Sequence, residues 1–404
     1  MKKTAAYLTF ALALGSLIFS SMAQGLGTAS VSINFSGTIN ARTSTSELNK
    51  VVIIYGTATL DATQIANVAK FDMLIVSIEM TQSTLASIKS LNPNIMILVY
   101  MDSVATTPDM PYWSTVNANE DWFVHDVNGN RVIDIIWGGW FLMNPASGWR
   151  QFYASYASNL LSTPLYDGIF ADDVLNQIQY PIWAGVFADA TTNAILTSSD
   201  FSSSFISNWH SDMLNFLQYV KDNIGSGKKL IINTDEYLTN TYLTLTDVDG
   251  KMCEGFASRN TEAGQIEYIN SMIRDSATGK IFIASTYVPT PNSTPTAEYC
   301  YIATLLAING DNCYFGYNAA YYYSYEGGVN HMPDFVINLG SPSGSYYQSQ
   351  GVYMRNFAGG VVLCNPSNNS YDINLGKNYQ LTNGTIVSRI VIGSWSGEIL
   401  LSYA

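Results

Sequence analysis

Eight short apolar runs recur between residues 51 and 318, and they constrain the fold more than any other feature of the chain. Each is rich in aliphatic and β-branched residues, which is typical of strands buried on both faces of a parallel sheet. The runs are VVIIYG from residue 51, MLIVSIE from 73, IMILVYMD from 95, DGIFADD from 167, LIINTDE from 230, MCEGFA from 252, IFIASTY from 281 and CYFGYN from 313.

Helical patterns separate most of these runs. They cover 61–70, 81–90, about 147–161, 201–223, 262–275 and 296–308, whereas the link over 238–250 is too short and too β-branched for a full helix. Alternation of strand and helix over about eight units predicts an α/β fold, the (β/α)8 TIM barrel, over residues 49–342. A doubly wound open sheet is the alternative.

The pattern changes near residue 343. Short strands such as GVYMRNFA, GVVLCNP and YDINLG follow one another with Gly, Asn and Pro turns and no helix between them. Turn signals at this spacing predict a small C-terminal β-sandwich domain over residues 343–404.

The N-terminus has the layout of an export signal. Lys2 and Lys3 precede the apolar stretch AAYLTFALALGSLIF, and Ser21-Met22-Ala23 supplies a small-residue cleavage site. We expect a signal peptide over residues 1–23, an irregular linker over 24–48, and a mature protein that is secreted or held at the cell surface. An uncleaved membrane anchor is the alternative.

Composition narrows the class of partner. Only 12% of residues are charged and the net charge is −13, which argues against nucleic acid because nucleic-acid binding needs a basic surface. The chain has 27 Tyr and 8 Trp. Aromatic rings and neutral hydrogen-bonding groups suit sugars. We therefore expect a carbohydrate partner, no membrane contact beyond the export signal, and a monomer.

The best catalytic candidate lies in DGIFADD. Enzymes with this fold carry their chemistry at the C-terminal ends of the strands. Because side chains alternate along a strand, Phe170 and Asp172 share one face, while Ala171 and Asp173 share the other. The aliphatic face suits packing against helices. Asp172 is therefore predicted to point into the barrel mouth, and Asp173 toward the rim.

The same alternation places polar groups at the ends of four other runs. They are Glu79 beside Ser77, Tyr100 and Asp102 beside Leu98, Asn233 with Asp235, and Glu254 beside Met252 and Phe256. Acidic or amide groups thus end five of the eight runs on one rim. We expect Glu79, Tyr100, Asp102, Asp173, Asn233 and Asp235 to contact substrate.

Paired carboxylates are what glycoside hydrolysis requires. Asp172 is the candidate nucleophile or base, and Glu254, two strands further on, is the candidate acid. If Glu254 points away, then Asp235, Glu236 or Asp102 takes the acid role. The alternative for each acid is structural, because strand-end acids also cap the following helices, as Asp173 could do.

The segment 104–146 is longer than a usual crossover and needs its own interpretation. WFVHDVNGNRVID is typical of a hairpin that turns at Asn128-Gly129. Trp113, Trp122, Trp137 and Trp140 lie in this segment, and Trp137 and Trp140 are expected to hold sugar rings. The alternative is that these tryptophans pack the core of the insertion.

Other chemistries find little support. The three histidines are scattered without metal-ligand spacing, so neither a metal nor another cofactor is expected. GSWSG at 393–397 has Trp where a nucleophile elbow has Ser. An exported protein could oxidise one cysteine pair, and Cys300 with Cys313 is the expected one because these two are nearest in sequence.

Several motifs in a fixed order carry a family resemblance. They are DWFVHDVNGNRV (121–132), LMNPASGWRQFYA (142–154), YDGIFADDV (166–174), CEGFA (253–257), DFVINLGSPSG (334–344) and RNFAGGVVLCNPS (355–367). The chain over roughly 50–404 resembles the TIM-barrel glycoside hydrolases of hypothetical glycosyl hydrolase family 15. At a distance, it also resembles the endo-α-1,4-polygalactosaminidase barrels.

The resemblance implies hydrolysis of O-glycosidic bonds, with the aspartate of the DG-hydrophobic-F-x-D segment as catalytic candidate. That position is Asp172 here. Family members often carry Asn next, where this chain has Asp173, so an exchange of roles between the two aspartates stays open. Two rival hypotheses remain: a catalytically silent carbohydrate-binding or surface protein on the same scaffold, and a transglycosylase that uses the same residues.

Overall fold

The structure is a computed structural model that describes residues 48–136, 138–236, 238–257, 261–288, 293–319 and 337–403. The predicted signal peptide and the linker at 24–48, apart from residue 48, lie outside the described residues. The chain divides into two compact units. One contains residues 102–153 and 173–220, and the other contains the remainder of the barrel together with the C-terminal sheet.

Eight parallel strands close into a barrel, and they follow one another around it in chain order. They are β1 (Asn49–Ile54), β2 (Met73–Val76), β3 (Met96–Asp102), β7 (Gly168–Val174), β9 (Lys229–Thr234), β10 (Gly250–Cys253), β11 (Ile281–Val288) and β12 (Cys313–Ala319). Each strand overlaps one of the eight apolar runs, so the predicted TIM barrel is confirmed.

Helices follow the predicted pattern as well. They are α1 (Ala62–Val68), α2 (Gln82–Leu91), α3 (Trp113–Asn117), α4 (Trp149–Leu160), α5 (Gln179–Trp183), α6 (Ser203–Asn223), α7 (Thr241–Leu245), α8 (Glu262–Ser276) and α9 (Thr294–Ala307). The link at 238–250 holds only the five-residue α7, as its composition indicates. In the part of the chain that the structure describes, none of these helices has the length and apolar character of a membrane span.

Side chains from alternate positions fill the barrel. The inward cluster consists of Val51, Ile53, Met73, Ile75, Leu98, Phe170, Ile231, Met252, Ile281, Ile283 and Tyr314, with Tyr55, Met96 and Tyr100 packed against it. Closure of the barrel needs a glycine at residue 316, because a Cβ there would lie 2.6 Å from the carbonyl oxygen of Val51 on β1. The interior is therefore a packed core below the level of the strand ends.

The C-terminal domain is an antiparallel sheet of six strands in the order β13-β14-β15-β18-β16-β17. Their bounds are β13 (Tyr347–Ser349), β14 (Val352–Phe357), β15 (Gly360–Asn365), β16 (Tyr371–Leu381), β17 (Ile386–Ile392) and β18 (Ser396–Ser402). The side chains of one apolar face pack together into a core around Leu363, Ile373 and Leu400, as in a β-sandwich. The other face, which includes Val362 and Ile399, packs with α9.

A buried arginine ties this sheet to the barrel. Arg355 on β14 is 8% exposed, and its guanidinium Nη1 donates to the carbonyls of Leu306 and Ile308 at the end of α9. These carbonyls have no partner within the helix, so the arginine caps it. Burial lowers the pKa of Arg355 to about 10, which leaves the side chain charged at neutral pH.

The unit of residues 102–153 and 173–220 has its own antiparallel sheet, in the order β4-β6-β5-β8. Its strands are β4 (Ala105–Thr106), β5 (Val132–Asp134), β6 (Trp140–Leu142) and β8 (Phe187–Asp189). The predicted hairpin is present: His125 and Arg131 form an antiparallel bridge, and Gly129 in the turn has φ +86°.

Cys300 and Cys313 are both buried and are not joined by a disulfide, so the predicted Cys300–Cys313 disulfide is wrong. Cys313 pairs in register with Phe282, whereas the Cys300 thiol lies 3.6 Å from the hydroxyl of Thr286. These two positions are four residues apart on β11, or about 13 Å at the rise of a strand. A disulfide cannot span that distance.

Candidate active site

Asp172 lies at the C-terminal end of β7, two residues beyond Phe170 of the inward cluster. One of its carboxylate oxygens, Oδ1, accepts a hydrogen bond of 2.8 Å from Nδ2 of Asn233, which stands at the end of the neighbouring strand β9. The alternation of β7 therefore directs the Asp172 carboxylate into the barrel mouth.

Asn233 also brings in the second carboxylate. Its Nδ2 donates to Oε2 of Glu254 at 3.1 Å as well as to Asp172 at 2.8 Å. An amide nitrogen has two N–H donors, so Asn233 uses both on the two acids. The two acceptor oxygens therefore lie no more than about 5.9 Å apart, the sum of the two distances. They lie about 5 Å apart if the bonds follow the ~120° angle of a planar amide.

Glu254 follows directly on β10, which ends at Cys253. Gly255 adopts φ +67°, so the chain leaves the strand at this point. The expectation that Phe256 shares the inner face with Glu254 is wrong: Phe256 is fully buried in the cluster formed with α8 and α9 outside the barrel. On β10 the alternation therefore ends at Glu254, where Gly255 turns the chain.

Tyr55, which sequence reasoning missed, lies beside both carboxylates. Burial raises the pKa of its phenol well above 10, and the charges of Asp172 and then of Glu254 raise it further. The hydroxyl is therefore protonated over the whole working range of a protein and can donate a hydrogen bond. The alternation Val51, Ile53, Tyr55 along β1 was the signal that could have identified it.

Three aromatic rings lie beside these groups. The rings of Tyr55 and Tyr100 have centroids 4.5 Å apart, and the ring of Phe170 is 6.3 Å from that of Tyr100. Strands β1, β3 and β7 supply these rings, and Phe170 continues into the packed interior of the barrel.

The remaining strand-end acids have local partners. Glu236 is 3% exposed, and its two carboxylate oxygens accept the backbone N–H groups of Thr241 and Tyr242 at the start of α7. It therefore caps that helix. Glu79 is exposed and accepts from the Ser77 hydroxyl at 2.7 Å. Asp235 is half-buried just beyond β9.

Asp102 and Asp173 belong to the other compact unit. Asp102 is 6% exposed, and its Oδ1 accepts the backbone N–H groups of Val104 and Ala105 at 3.0 and 2.7 Å. These bonds shape the turn after β3. Asp173 has φ +52°, a left-handed conformation that aspartate tolerates better than most residues.

The aromatic residues of the insertion contact one another. Trp113 stacks on Phe141 with centroids 5.3 Å apart, and Trp122 lies 5.3 Å from Phe152. These contacts favour the alternative that the two tryptophans pack the core of the insertion. Trp140 is half-buried on β6, and Trp137 lies outside the described residues.

The fold is a TIM barrel, and two carboxylates are bridged by one amide at the C-terminal ends of its strands, where enzymes of this fold carry their chemistry. The model of a family described as hypothetical glycosyl hydrolase family 15 matches residues 89–361, which include Asp172, Asn233 and Glu254. The chain belongs to that family, and its family points to a glycosidase-like activity.

A solved α-amylase structure shares this fold. A noncanonic maltogenic α-amylase, AmyB from Thermotoga neapolitana, has a TM-score of 0.52 and 11% identity, over 89% of this chain and 100% of that one. The glycoside hydrolase domain of PelA from Pseudomonas aeruginosa has a TM-score of 0.47 and 13% identity, over 70% of this chain and 98% of that one. At such identities the likeness concerns the fold alone. No curated protein matches the chain in sequence.

Proposed function

We propose that the protein is a secreted glycoside hydrolase that cleaves an oligo- or polysaccharide with Asp172 and Glu254. The observation that carries the proposal is the position of Asn233, whose side-chain amide donates to both carboxylates. Two acids held at one amide, at the end of the barrel where this fold carries its chemistry, suit a reaction that needs one acid on each side of a glycosidic oxygen.

The contacts of Asp172 and Glu254 suggest which is the nucleophile and which is the acid. The shorter bond from Asn233 goes to Asp172, at 2.8 Å against 3.1 Å for Glu254. Hydrogen-bond donors favour the charged form of a carboxylate. We therefore assign Asp172, which accepts the shorter bond, as the nucleophile and Glu254 as the acid.

The separation of the carboxylates favours a retaining reaction. Retaining glycosidases hold their carboxyl groups about 5–5.5 Å apart, and inverting enzymes about 6.5–9.5 Å apart, to leave room for a water molecule. The shared contacts with Asn233 limit the two nearest oxygens to no more than about 5.9 Å, which fits the shorter class.

The reaction then has two displacements. The Asp172 carboxylate attacks the anomeric carbon while Glu254 gives its proton to the leaving glycosidic oxygen, and the sugar becomes an ester of Asp172. Glu254, now ionised, takes a proton from water, whose oxygen attacks the same carbon and releases Asp172. If a second sugar replaces this water, the outcome is transglycosylation by the same residues.

Tyr55 and Tyr100 complete the proposed site. Their paired rings offer an apolar surface beside the carboxylates, and the apolar face of a sugar ring packs against such a surface. The Tyr55 hydroxyl stays protonated, so it can donate to Asp172 or to the sugar.

Export is a separate part of the proposal. Lys2 and Lys3, the apolar stretch after them and the small residues at 21–23 support cleavage after Ala23. Mass spectrometry of the protein recovered outside the host cell should give a chain that begins at Gln24. A chain that keeps residues 1–23 and stays in the membrane fraction would support an anchor instead.

The activity is tested with a broad panel of α- and β-linked glycans. Wild type is compared with Asp172→Asn and Glu254→Gln, and with the exposed control variants Asp372→Asn and Glu267→Gln. We expect new reducing ends from wild type and both controls, and a large loss in the two site variants. Hydrolysis that survives both site changes would reject the assignment. Binding without hydrolysis by wild type would favour the catalytically silent carbohydrate-binding protein.

A further inference from the structure

Three polar atoms in the barrel are buried without a hydrogen-bond partner from the described chain. They are Oδ1 of Asn233, Oγ of Ser285 and Oδ1 of Asn318. Their residues are 8%, 1% and 2% exposed. A buried polar group without a partner destabilises the folded state, because its hydrogen bonds to water are lost and not replaced. Three such groups in one barrel therefore need an explanation.

Strand alternation directs all three side chains inward. Ile283 on β11 belongs to the inward cluster, and Ser285 follows it by two residues. Tyr314 on β12 also belongs to that cluster, and Asn318 follows it by four. The intervening Thr286 points the other way, since its hydroxyl lies 3.6 Å from the Cys300 thiol on α9.

The register places these groups near the carboxylates along the barrel wall. Cys253 on β10 pairs with Ala284 on β11, so the next positions in register are Glu254 and Ser285. On the far side, Tyr287 pairs with Asn318 of β12. Strands β9, β11 and β12 thus present polar atoms along the part of the barrel wall that flanks Glu254 at the end of β10.

We propose that Asn233, Ser285 and Asn318 form a hydroxyl-binding row that selects the sugar held at the carboxylates. The inference rests on the proposed function. Each Oδ1 accepts a hydrogen bond, and the serine hydroxyl can accept and donate. Ring hydroxyls of a sugar supply the matching donors, while the opposite face of the ring packs against Tyr55 and Tyr100.

The row acts as a specificity device because its three atoms have no hydrogen-bond partner among the described residues, which leaves them for hydroxyl groups of a substrate. A site built to bind a hydroxyl rejects an analogue that lacks it by leaving the buried polar atoms unpaired. The sugar at the carboxylates must therefore carry free hydroxyls on the side facing β11 and β12. O-methylated or deoxygenated rings at those positions are poor substrates.

The test compares Ser285→Ala and Asn318→Leu with the control Ser271→Ala. Ser271 is also buried, but its hydroxyl donates to the Tyr268 carbonyl at 2.8 Å on α8, away from the mouth. On the best glycan we expect kcat/KM to fall about 10- to 100-fold in each row variant. Their Tm should stay level or rise, because an unpaired buried polar atom has been removed. The control should keep its activity and gain no stability.

A deoxy-sugar series separates recognition from structure. Wild type should lose the most kcat/KM when the hydroxyl bound by the row is removed, and a row variant should no longer discriminate against that analogue. Row variants that keep wild-type kcat/KM and the same discrimination would overturn the inference. Row variants that lose Tm together with activity would show a structural role and overturn it too.

A failure of the proposed hydrolase function can be distinguished from a failure of the hydroxyl-binding row. If wild type binds glycans without hydrolysing them, calorimetric Kd values replace kcat/KM, and weaker binding by the row variants still supports the row. Unchanged Kd values would overturn it. Wild type that neither hydrolyses nor binds any glycan or analogue would reject both proposals.

Discussion

Acidic side chains have different surroundings at the two ends of the barrel. At the N-terminal end, one aspartate lies directly before each of the strands β2, β7 and β10. The carboxylate of each aspartate accepts a hydrogen bond from a backbone N–H of the neighbouring barrel strand that comes earlier in the chain. The bonds run from Lys50 to Asp72, from Ile97 to Asp167 and from Leu230 to Asp249, at 2.8, 2.7 and 2.8 Å. At the C-terminal end, two carboxylates share one amide and three polar atoms have no partner from the described chain.

Lysines complete the N-terminal end. Lys89 binds Asp167 at 2.7 Å, and Lys221 and Lys229 bind Asp249 at 2.7 and 3.0 Å. These acids are therefore joined to the backbone and to cations within the protein. The comparison shows why an acid at a strand end is not by itself a sign of function: the catalytic candidates are those whose surroundings leave polar atoms for an outside molecule.

The largest expected effect is that of Asp172→Asn. Loss of the nucleophile should reduce kcat/KM at least about 1,000-fold. Tm should stay close to that of wild type, because the change removes a charge from a pair of acids. Steady-state kinetics and thermal unfolding measure the two values. Asp173→Asn is the matched neighbour, and a larger loss there would exchange the roles of the two aspartates.

Glu254→Gln should lower kcat/KM about 100- to 10,000-fold, which is the usual contribution of a general acid–base. The loss should shrink on aryl glycosides whose leaving group needs no proton, because the first displacement then proceeds without the acid. Kinetics on paired alkyl and aryl glycosides give this comparison. An equal loss on both would mean that Glu254 does not protonate the leaving oxygen.

Tyr55→Phe should lower kcat/KM about tenfold or less, since it removes one hydrogen-bond donor from the site. The raised pKa means that Tyr55 remains protonated up to pH 10 and beyond. Its ionisation therefore cannot cause a loss of activity below that pH. The alkaline limb of the kcat/KM profile should lie at the same pH in wild type and in the variant, and a shifted limb would contradict this.

The smallest effect on catalysis should come from the other end of the barrel. Asp249→Asn should leave activity unchanged but lower the free energy of unfolding by about 1–3 kcal/mol at pH 7. Burial raises the pKa of Asp249, but hydrogen bonds from Lys221, the Leu230 amide and Lys229 outweigh burial and hold it below its ordinary value.

The sign of that effect sets its pH dependence. A carboxyl whose pKa is lowered by folding stabilises the protein above its unfolded pKa of about 3.9, and this contribution is lost as the pH falls through the folded value. The difference between wild type and Asp249→Asn in urea unfolding should therefore be full at pH 7 and shrink below about pH 4. A constant difference would contradict the account.

Sequence reasoning recovered the barrel because its signal is repetitive. Eight buried strands and the helices between them are set by local composition and period, and alternation was enough to place Asp172 on the inner face. The same rule applied to β1, β11 and β12 would have found Tyr55, Ser285 and Asn318. Tyr55 and Ser285 carry no charge that would mark them as catalytic candidates, and Asn318 lies outside the motifs that suggest chemistry.

Other features depend on contacts that no local pattern encodes. Phe256 left the inner face because β10 ends at Cys253 and Gly255 turns the chain. Strand β8 joins the sheet of the insertion by pairing with β5, more than fifty residues earlier. The bridging role of Asn233 needs β7, β9 and β10 side by side, and this arrangement is set by strand pairing, not by local sequence.

The stereochemistry of the first product tests the central claim most directly. Proton NMR in the first minutes of hydrolysis distinguishes the anomer released before mutarotation. Two carboxylates bridged by the Asn233 amide predict the same anomeric configuration as in the substrate. Release of the opposite anomer would contradict the account, because direct attack by water needs carboxylates further apart than a single amide nitrogen can span.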